Sequence, residues 1–443
     1  MTASGRPEMD RVDIGFIGVA ITIALILFRI PVGIVLATVG FVGIALLTSL
    51  KASWSIAANV PFELIGDWNL SAVPMFLLMG FLASEAGLTR GLFKAARIFL
   101  GRIPGGLASA TVVASALFAA ASGSSVATAA SFSRIAIPEM LDAKYDRGLA
   151  CGSVAVSGTL GALIPPSILM ILFGIFAEVS IGKLFLAGVL PGLLSALVFI
   201  LLITVRVWLN PDLAPRTTLT VTREERIEAI LDIWPLPLLI LLVIGSIFLG
   251  IVTPTEAGAL GALIAMIIAL FRRALTLRIF SRAVTDTIAG TASIFVVIVG
   301  ASVFARFVAL SGMAGALTDM LAFAIERPVL LIVLTSVIYI FLGMFLESVS
   351  LMLLTLPLLL PLYNVAGIDL IWFGVICVKL LEIGLVTPPV GLNVYVIKGA
   401  LGDRVNLGEI FRGTAWFLAA DLVTLALLIA FPTISLLLPM LSK

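Results

Sequence analysis

Apolar runs of membrane-spanning length follow one another along the chain, separated by short polar or charged stretches. A hydrocarbon core about 30 Å thick needs roughly 20 mainly apolar residues per helical crossing. The pattern predicts crossings at about 13–29, 31–49, 70–88, 149–178 and 190–208, and a second set at about 234–250, 254–271, 287–310, 370–398 and 413–440. Two further apolar stretches, 105–140 and 328–362, are interrupted midway by Ser122-Gly123-Ser124-Ser125 and by Glu347-Ser348. These read as re-entrant helical hairpins that enter and leave on one side. The expected fold is an all-α polytopic membrane protein with about ten crossings, two such hairpins and two broken helices. The first run follows a mixed-charge leader (Arg6, Glu8, Asp10, Arg11) without the small-residue cleavage pattern of a secretory signal, so it is expected to be a retained span.

Composition agrees: 61% of the 443 residues are hydrophobic and 12% charged, with a mean hydropathy of +1.24. The absence of histidine removes imidazole acid/base chemistry, Ser-His and Cys-His nucleophile pairs and His-ligated metal sites, which argues against an enzyme. Cys151 and Cys377 stand alone in apolar segments, so no disulfide framework or CxxC site is available. A net charge of +2 gives no sign of a nucleic-acid partner.

The placement of basic residues sets an orientation. With the N-terminus outside, Arg29 and the segments 89–103, 140–148, 206–232, 272–285 and 398–412 face the cytoplasm and carry 18 of the 27 Lys and Arg residues. The outside segments carry six (Arg6, Arg11, Lys51, Lys183, Arg327 and Lys443), so the positive-inside rule favours this topology. Within 89–103, Leu92, Phe93, Ala96 and Phe99 recur at helical spacing against Arg90, Lys94, Arg97 and Arg102. That segment is expected to be an interfacial amphipathic helix, either bracing a moving unit or merely connecting on the membrane surface. The equivalent arm of the second half is 311–326.

An internal repeat appears on shifting the sequence by 223 residues. Pro31 then falls on Pro254, Pro138 on Pro361, Gly161 on Gly384, and Pro165-Pro166 on Pro388-Pro389, while the two interruptions face each other. Each half, 1–232 and 233–443, holds five crossings; an odd number turns the second copy upside down. Inverted repeats with paired interrupted helices mark many secondary transporters, and the interruptions point to the binding site.

Exposed backbone cannot survive in hydrocarbon, so a break persists only where protein or a water-filled cavity satisfies it. In the first half the candidates are Ser122, Gly123, Ser124, Ser125 and Thr128 at the tip, and Thr159, Gly161, Ile164, Pro165, Pro166 and Ser167 at the break. In the second they are Glu347, Ser348 and Ser350, then Gly384, Thr387, Pro388, Pro389 and Asn393. A Pro-Pro pair removes two amide donors and frees upstream carbonyls. With hydroxyls beside them, these make oxygen cages suited to sodium, whose expected ligands are Ser124, Ser125, Thr159 and Ile164 in one half and Glu347, Ser348 and Thr387 in the other. Helix N-termini after the tips would draw a carboxylate into a shared cavity. The competing reading is that Ser and Thr bond back to the preceding turn and small residues serve helix packing. Intramembrane charges need partners or a cavity: Lys379 and Glu382, three apart on one helix face, are expected to form a structural ion pair rather than a coupling site, Glu347 is a functional candidate, and Arg306 and Asp421 each need a partner or a cavity. Arg29 and Arg134 are expected to be snorkelling anchors near the cytoplasmic boundary.

The segments GSSVATAA (123–130), IPEM (137–140), GTLGALIPPSI (158–168), GMFLESVSLMLLTLPLLLP (343–361) and GLVTPPVGLNVYVIKG (384–399) resemble the large membrane subunit of tripartite ATP-independent periplasmic (TRAP) transporters, the DctM-like family. The likeness covers nearly the whole chain. It implies an elevator-type carrier in a bacterial inner membrane, with both termini periplasmic under the charge topology. It further implies sodium as coupling ion without other cofactor, a small four-span membrane subunit as a separate chain, a periplasmic solute-binding protein, and an organic-anion substrate such as a C4-dicarboxylate, 2-oxo acid or sugar acid. A stand-alone sodium/dicarboxylate symporter or ion exchanger is the main alternative, and an intramembrane enzyme or passive channel the more distant one.

Overall fold

A computed structural model describes residues 10–215 and 222–442, together with the backbone but not the side chains of 88–90. Arg6, Glu8, Lys443 and the stretch 216–221 of the expected cytoplasmic segment lie outside the described residues, as does the side chain of Arg90. The described chain is helical throughout, with no strand among the described residues. The first half runs α1 (Arg11–Leu27), α2 (Val32–Leu47), α3 (Leu50–Ile65), α4 (Ala72–Glu85), α5 (Leu88–Leu100), α6 (Gly106–Ser122), α7 (Ser125–Asp142), α8 (Arg147–Leu163), α9 (Ile168–Phe176) and α10 (Ile181–Leu209). After α11 (Arg223–Ile233) come α12 (Pro235–Phe248), α13 (Pro254–Phe271), α14 (Leu277–Ser311), α15 (Met313–Met320), α16 (Ala322–Ile325), α17 (Pro328–Gly343), α18 (Ser348–Val365), α19 (Leu370–Val386), α20 (Leu392–Leu401), α21 (Leu407–Ala430) and α22 (Thr433–Leu441).

Six helices among the described residues are long and apolar enough to cross a bilayer, or up to eight spans if each of two bent pairs is taken as one. This is a multi-pass membrane protein. Several expected boundaries move. The run predicted at 190–208 belongs to a helix of 29 residues beginning at Ile181, and 287–310 belongs to one of 35 residues. The last predicted crossing, 413–440, is two helices, because the chain turns at Phe431-Pro432. Leu50–Ile65, which falls in no expected crossing, is a helix of 16 residues. On α10 the exposed Leu193, Leu197, Leu201 and Val205 recur every fourth residue, while Phe199, Ile203 and Val207 are buried. An outward stripe of this kind suits acyl chains.

The 223-residue offset is visible in the elements: α7 and α18, and likewise α8 and α19, begin and end at equivalent positions. The compact units do not follow the repeats. A smaller unit comprises residues 1–67, 292–335 and 349–369; a larger one comprises 68–291, 336–348 and 370–443.

In the smaller unit α2 lies against the second half of α14 through small residues. A Cβ on Gly40 would sit 2.8 Å from the Phe304 amide nitrogen, and one on Gly33 would sit 2.9 Å from the Val296 carbonyl oxygen. Spaced one heptad apart, these glycines let two backbones touch. Arg306 finds its partner here in Glu63. The arms of the second hairpin are joined by the Tyr363 hydroxyl and Thr335 Oγ1, 2.9 Å apart.

In the larger unit α8 is the central element, packed against α6, α7, α19 and α21 and buried from Leu149 to Leu163. It crosses α21 through glycines: a Cβ on Gly413 would fall on the Gly148 carbonyl, and one on Gly152 would lie 2.7 Å from the Gly413 carbonyl carbon. Gly413→Val is therefore expected to cost about 1–3 kcal/mol through overpacking. The check is the unfolding midpoint in detergent, and an unchanged midpoint would show that the helices part freely. The amphipathic α5 turns Leu92, Phe93 and Ala96 inward onto α6, whereas Phe99 is exposed. Lys94 pairs with Glu228 at 3.2 Å and Arg97 with Glu139 at 2.9 Å, which ties α5 to α11 and α7.

Candidate functional site

Both broken helices, the whole first hairpin and the tip of the second belong to the larger unit. At the first tip α6 ends at Ser122, Gly123 adopts a left-handed backbone (φ 61°), and Ser124 caps α7 by accepting from the Ala127 amide at 3.3 Å. Thr128 Oγ1 donates to the Ser124 carbonyl at 2.8 Å and lies 3.1 Å from Ser122 Oγ, so three of the four tip hydroxyls, those of Ser122, Ser124 and Thr128, help to hold the turn. The tip rests on the first break: a Cβ on Gly123 would lie 3.5 Å from the Pro166 carbonyl oxygen.

At that break α8 stops at Leu163 and Ile164 is extended. Pro165-Pro166 is cis, and the axis bends by 41° into α9. Neither proline can donate to the carbonyls of Gly161 and Ala162, which would otherwise be their helical partners. Ser167 caps α9 by accepting from the Met170 amide at 3.4 Å, a local structural task. Thr159 donates to the Val156 carbonyl at 2.7 Å, which uses its proton and leaves its lone pairs. Glycines bring the hairpin to the break: a Cβ on Gly158 would lie 2.8 Å from the Ser125 carbonyl, and one on Gly161 2.9 Å from the Ala119 Cβ.

The second break repeats this with changes. After α19 the cis pair Pro388-Pro389 is exposed, whereas Pro165 and Pro166 are buried. Thr387 Oγ1 donates to the Ile383 carbonyl at 2.6 Å, and its amide bonds the Gly384 carbonyl at 3.1 Å. A Cβ on Gly384 would lie 2.7 Å from Gly343 Cα at the end of α17. Glu347 is exposed beside the start of α18, while Ser348 is buried and its Oγ has no hydrogen-bond partner among the described residues. Ser350, expected with this tip, groups with the smaller unit.

The two halves meet within the larger unit. Ser125, at the first tip, donates to Glu382 Oε2 on α19 at 2.5 Å, both side chains being buried. Asn393, at the start of α20, donates to the Ala155 carbonyl of α8 at 3.2 Å, and its Oδ1 is buried without a partner among the described residues. The expected Lys379–Glu382 pair does not form. Lys379 reaches across to Asp421 on α21, with Ser195 on α10 at 3.1 Å and the Phe199 ring centroid at 5.7 Å. Residues three apart share a helix face only loosely, and here different neighbouring helices capture each charge. Spacing alone marks Glu382 as a partner of Lys379 or, with it, a coupling site, and does not reveal Ser125 as its contact. A signal for its role was present, since at the 223-residue offset it replaces Thr159, putting a carboxylate where the first copy has a hydroxyl.

Interrupted helices from two repeated halves, joined at their breaks, define a secondary-transporter type of membrane fold. Solved structures with this fold include the YdaH transporter of Alcanivorax borkumensis (TM-score 0.61, 15% identity, 87% of this chain and 89% of that one) and MtrF of Neisseria gonorrhoeae (TM-score 0.58, 13% identity, 96% of both). The model of the DctM component of tripartite ATP-independent periplasmic transporters matches residues 19–434, and the chain belongs to that family. It is 34% identical to the sialic acid TRAP transporter large permease of Vibrio cholerae over 94% of this chain and 96% of that one. It is 36% identical to the C4-dicarboxylate large permease of Pseudomonas aeruginosa (85% and 88%) and 31% identical to the 2,3-diketo-L-gulonate large permease of Escherichia coli (82% and 84%). These relatives are permeases rather than enzymes.

Proposed function

We propose that this chain is the large permease of a sodium-coupled secondary active importer of organic acids in a bacterial inner membrane, with its termini on the periplasmic side. The observation that carries the reading is the Ser125–Glu382 contact, which brings the tip of one half onto the broken helix of the other in a DctM family member. The substrates named for its relatives, sialic acid, C4-dicarboxylate and diketogulonate, are all carboxylic acids. In this reading a periplasmic binding protein delivers the substrate and a small four-span subunit, a separate chain, completes the membrane complex.

Transport would proceed by movement of a body carrying the breaks, with both hairpins re-entrant and the second half inverted. Sodium would bind at two oxygen cages. One would be made of carbonyls freed by Pro165-Pro166 together with Ser124, Ser125, Thr159 and Ile164. The other has Glu347, Ser348 and Thr387, and the unpartnered buried Ser348 Oγ supports it. Ser124→Ala and Ser348→Ala are expected to raise the sodium concentration needed for half-maximal uptake more than they lower stability, Ser124→Ala also losing the α7 cap at a cost of about 0.5–2 kcal/mol. The assay is uptake of labelled organic acids into proteoliposomes under an imposed sodium gradient, with the small subunit and binding protein supplied. Uptake indifferent to sodium would refute the coupling, and full uptake without the binding protein would favour a stand-alone symporter.

A further inference from the structure

A cleft of about 560 Å³ opens in the larger unit between the end of α4 and the middle of α7. Ser84 and Glu85 line one wall, Ser131 and Arg134 the other, with Gly87 and Ile135 beside them. Its size lies within the range of small-molecule sites, roughly 300–1,000 Å³. Arg97, one turn from the end of α5, is taken up by Glu139, but no hydrogen bond or ion pair among the described residues engages the side chains of Arg134, Glu85, Ser84 or Ser131. A guanidinium, a carboxylate and two hydroxyls thus face one space without satisfying one another. Arg134 stands ten residues beyond the Ser124 cap, about 15 Å along a helix. In the charge-derived orientation that distance carries it from the tip to the cytoplasmic edge.

An acyl chain would leave all four polar groups bare, whereas a snorkelling arginine needs neither the carboxylate nor the hydroxyls across from it. A guanidinium grips a carboxylate through two parallel N–H donors. Glu85 can only accept while ionised, so it suits a hydroxyl and repels a second carboxylate. Resting on the organic-acid reading above, we propose that this cleft is a cytoplasmic-side subsite for a hydroxylated monocarboxylate, such as a sugar acid, with its carboxylate on Arg134 and a hydroxyl donating to Glu85. A plain dicarboxylate is disfavoured there by like charge.

The test is thiol labelling of Ser131→Cys in the full-length permease, held in phosphatidylcholine nanodiscs. Cys151 and Cys377 are both buried, so the unaltered protein supplies the background. The anionic sulfonatoethyl thiosulfonate is expected to react about tenfold faster than its trimethylammonium counterpart, and Arg134→Gln to bring that ratio near one. Gluconate or N-acetylneuraminate is expected to slow labelling and succinate not to, while Glu85→Gln lets succinate protect as well. Should Ser131→Cys fold poorly, Ser84→Cys reports from the opposite wall. Equal rates for the two reagents, equal protection by succinate and the hydroxy acids, or protection by phosphatidylglycerol and by no soluble acid would each overturn the assignment. Labelling requires neither sodium nor partners. Failed uptake with intact protection therefore counts against import alone, and intact uptake without protection counts against the cleft alone.

Discussion

Lys379→Met is expected to destabilise the protein by about 3–5 kcal/mol, because it strands a buried carboxylate. Lys379 and Asp421 are both fully buried and paired with each other, and one Asp421 oxygen already has no partner among the described residues. Removing the ammonium leaves Asp421 in an apolar setting with no compensating charge, and Asp421→Leu leaves Lys379 equally exposed to that penalty. Replacing both by apolar residues of similar volume removes the uncompensated charge, so the Lys379→Met/Asp421→Leu double variant is expected to recover most of the loss. Unfolding midpoints in detergent for the four proteins of this cycle provide the measurement. A double variant as unstable as either single would mean that packing against Phe199 and Ser195, rather than the charge pair, accounts for the loss.

Glu382→Ala is expected to lower uptake by about tenfold or more, since a buried hydroxyl left unsatisfied costs about 1–3 kcal/mol and 1.4 kcal/mol is a factor of ten. The partner left behind is Ser125, and the contact between the first tip and the second broken helix goes with it. Ser125→Ala is expected to reduce uptake similarly, and the double variant to be no worse than the more damaged single, because both remove one interaction. Glu382→Gln keeps an oxygen that can accept from Ser125 and should fall between. Uptake normalised to the amount of permease in the membrane distinguishes these outcomes, and wild-type uptake by Glu382→Ala would remove this junction from the transport mechanism.

The breaks were legible because their causes are covalent and local. Proline lacks an amide proton wherever it stands, so two adjacent prolines in an apolar run interrupt a helix in any environment. Gly123 and the flanking serines likewise announce a turn followed by a capped helix, and Ser124 caps α7. The interruption at Ser122 to Ser125 is found between the helices Gly106–Ser122 and Ser125–Asp142, and both Pro-Pro breaks fall between helices. Where local signals were weak, boundaries moved: Leu50–Ile65 mixes polar and apolar residues and was assigned to no crossing, and the turn at Phe431-Pro432 was hidden in a long apolar tail.

Sequence alone therefore determined the membrane class, the repeat at an offset of 223 residues and the positions of the interruptions, since each depends on neighbours along the chain. Tertiary structure decided who meets whom. Spacing placed Lys379 and Glu382 together, yet one pairs with Asp421 and the other with Ser125, 257 positions away in sequence. Only helix crossings determine such partners, because the rotation of a helix about its axis and the closeness allowed by glycines such as Gly158 and Gly413 are set by the surfaces that face it.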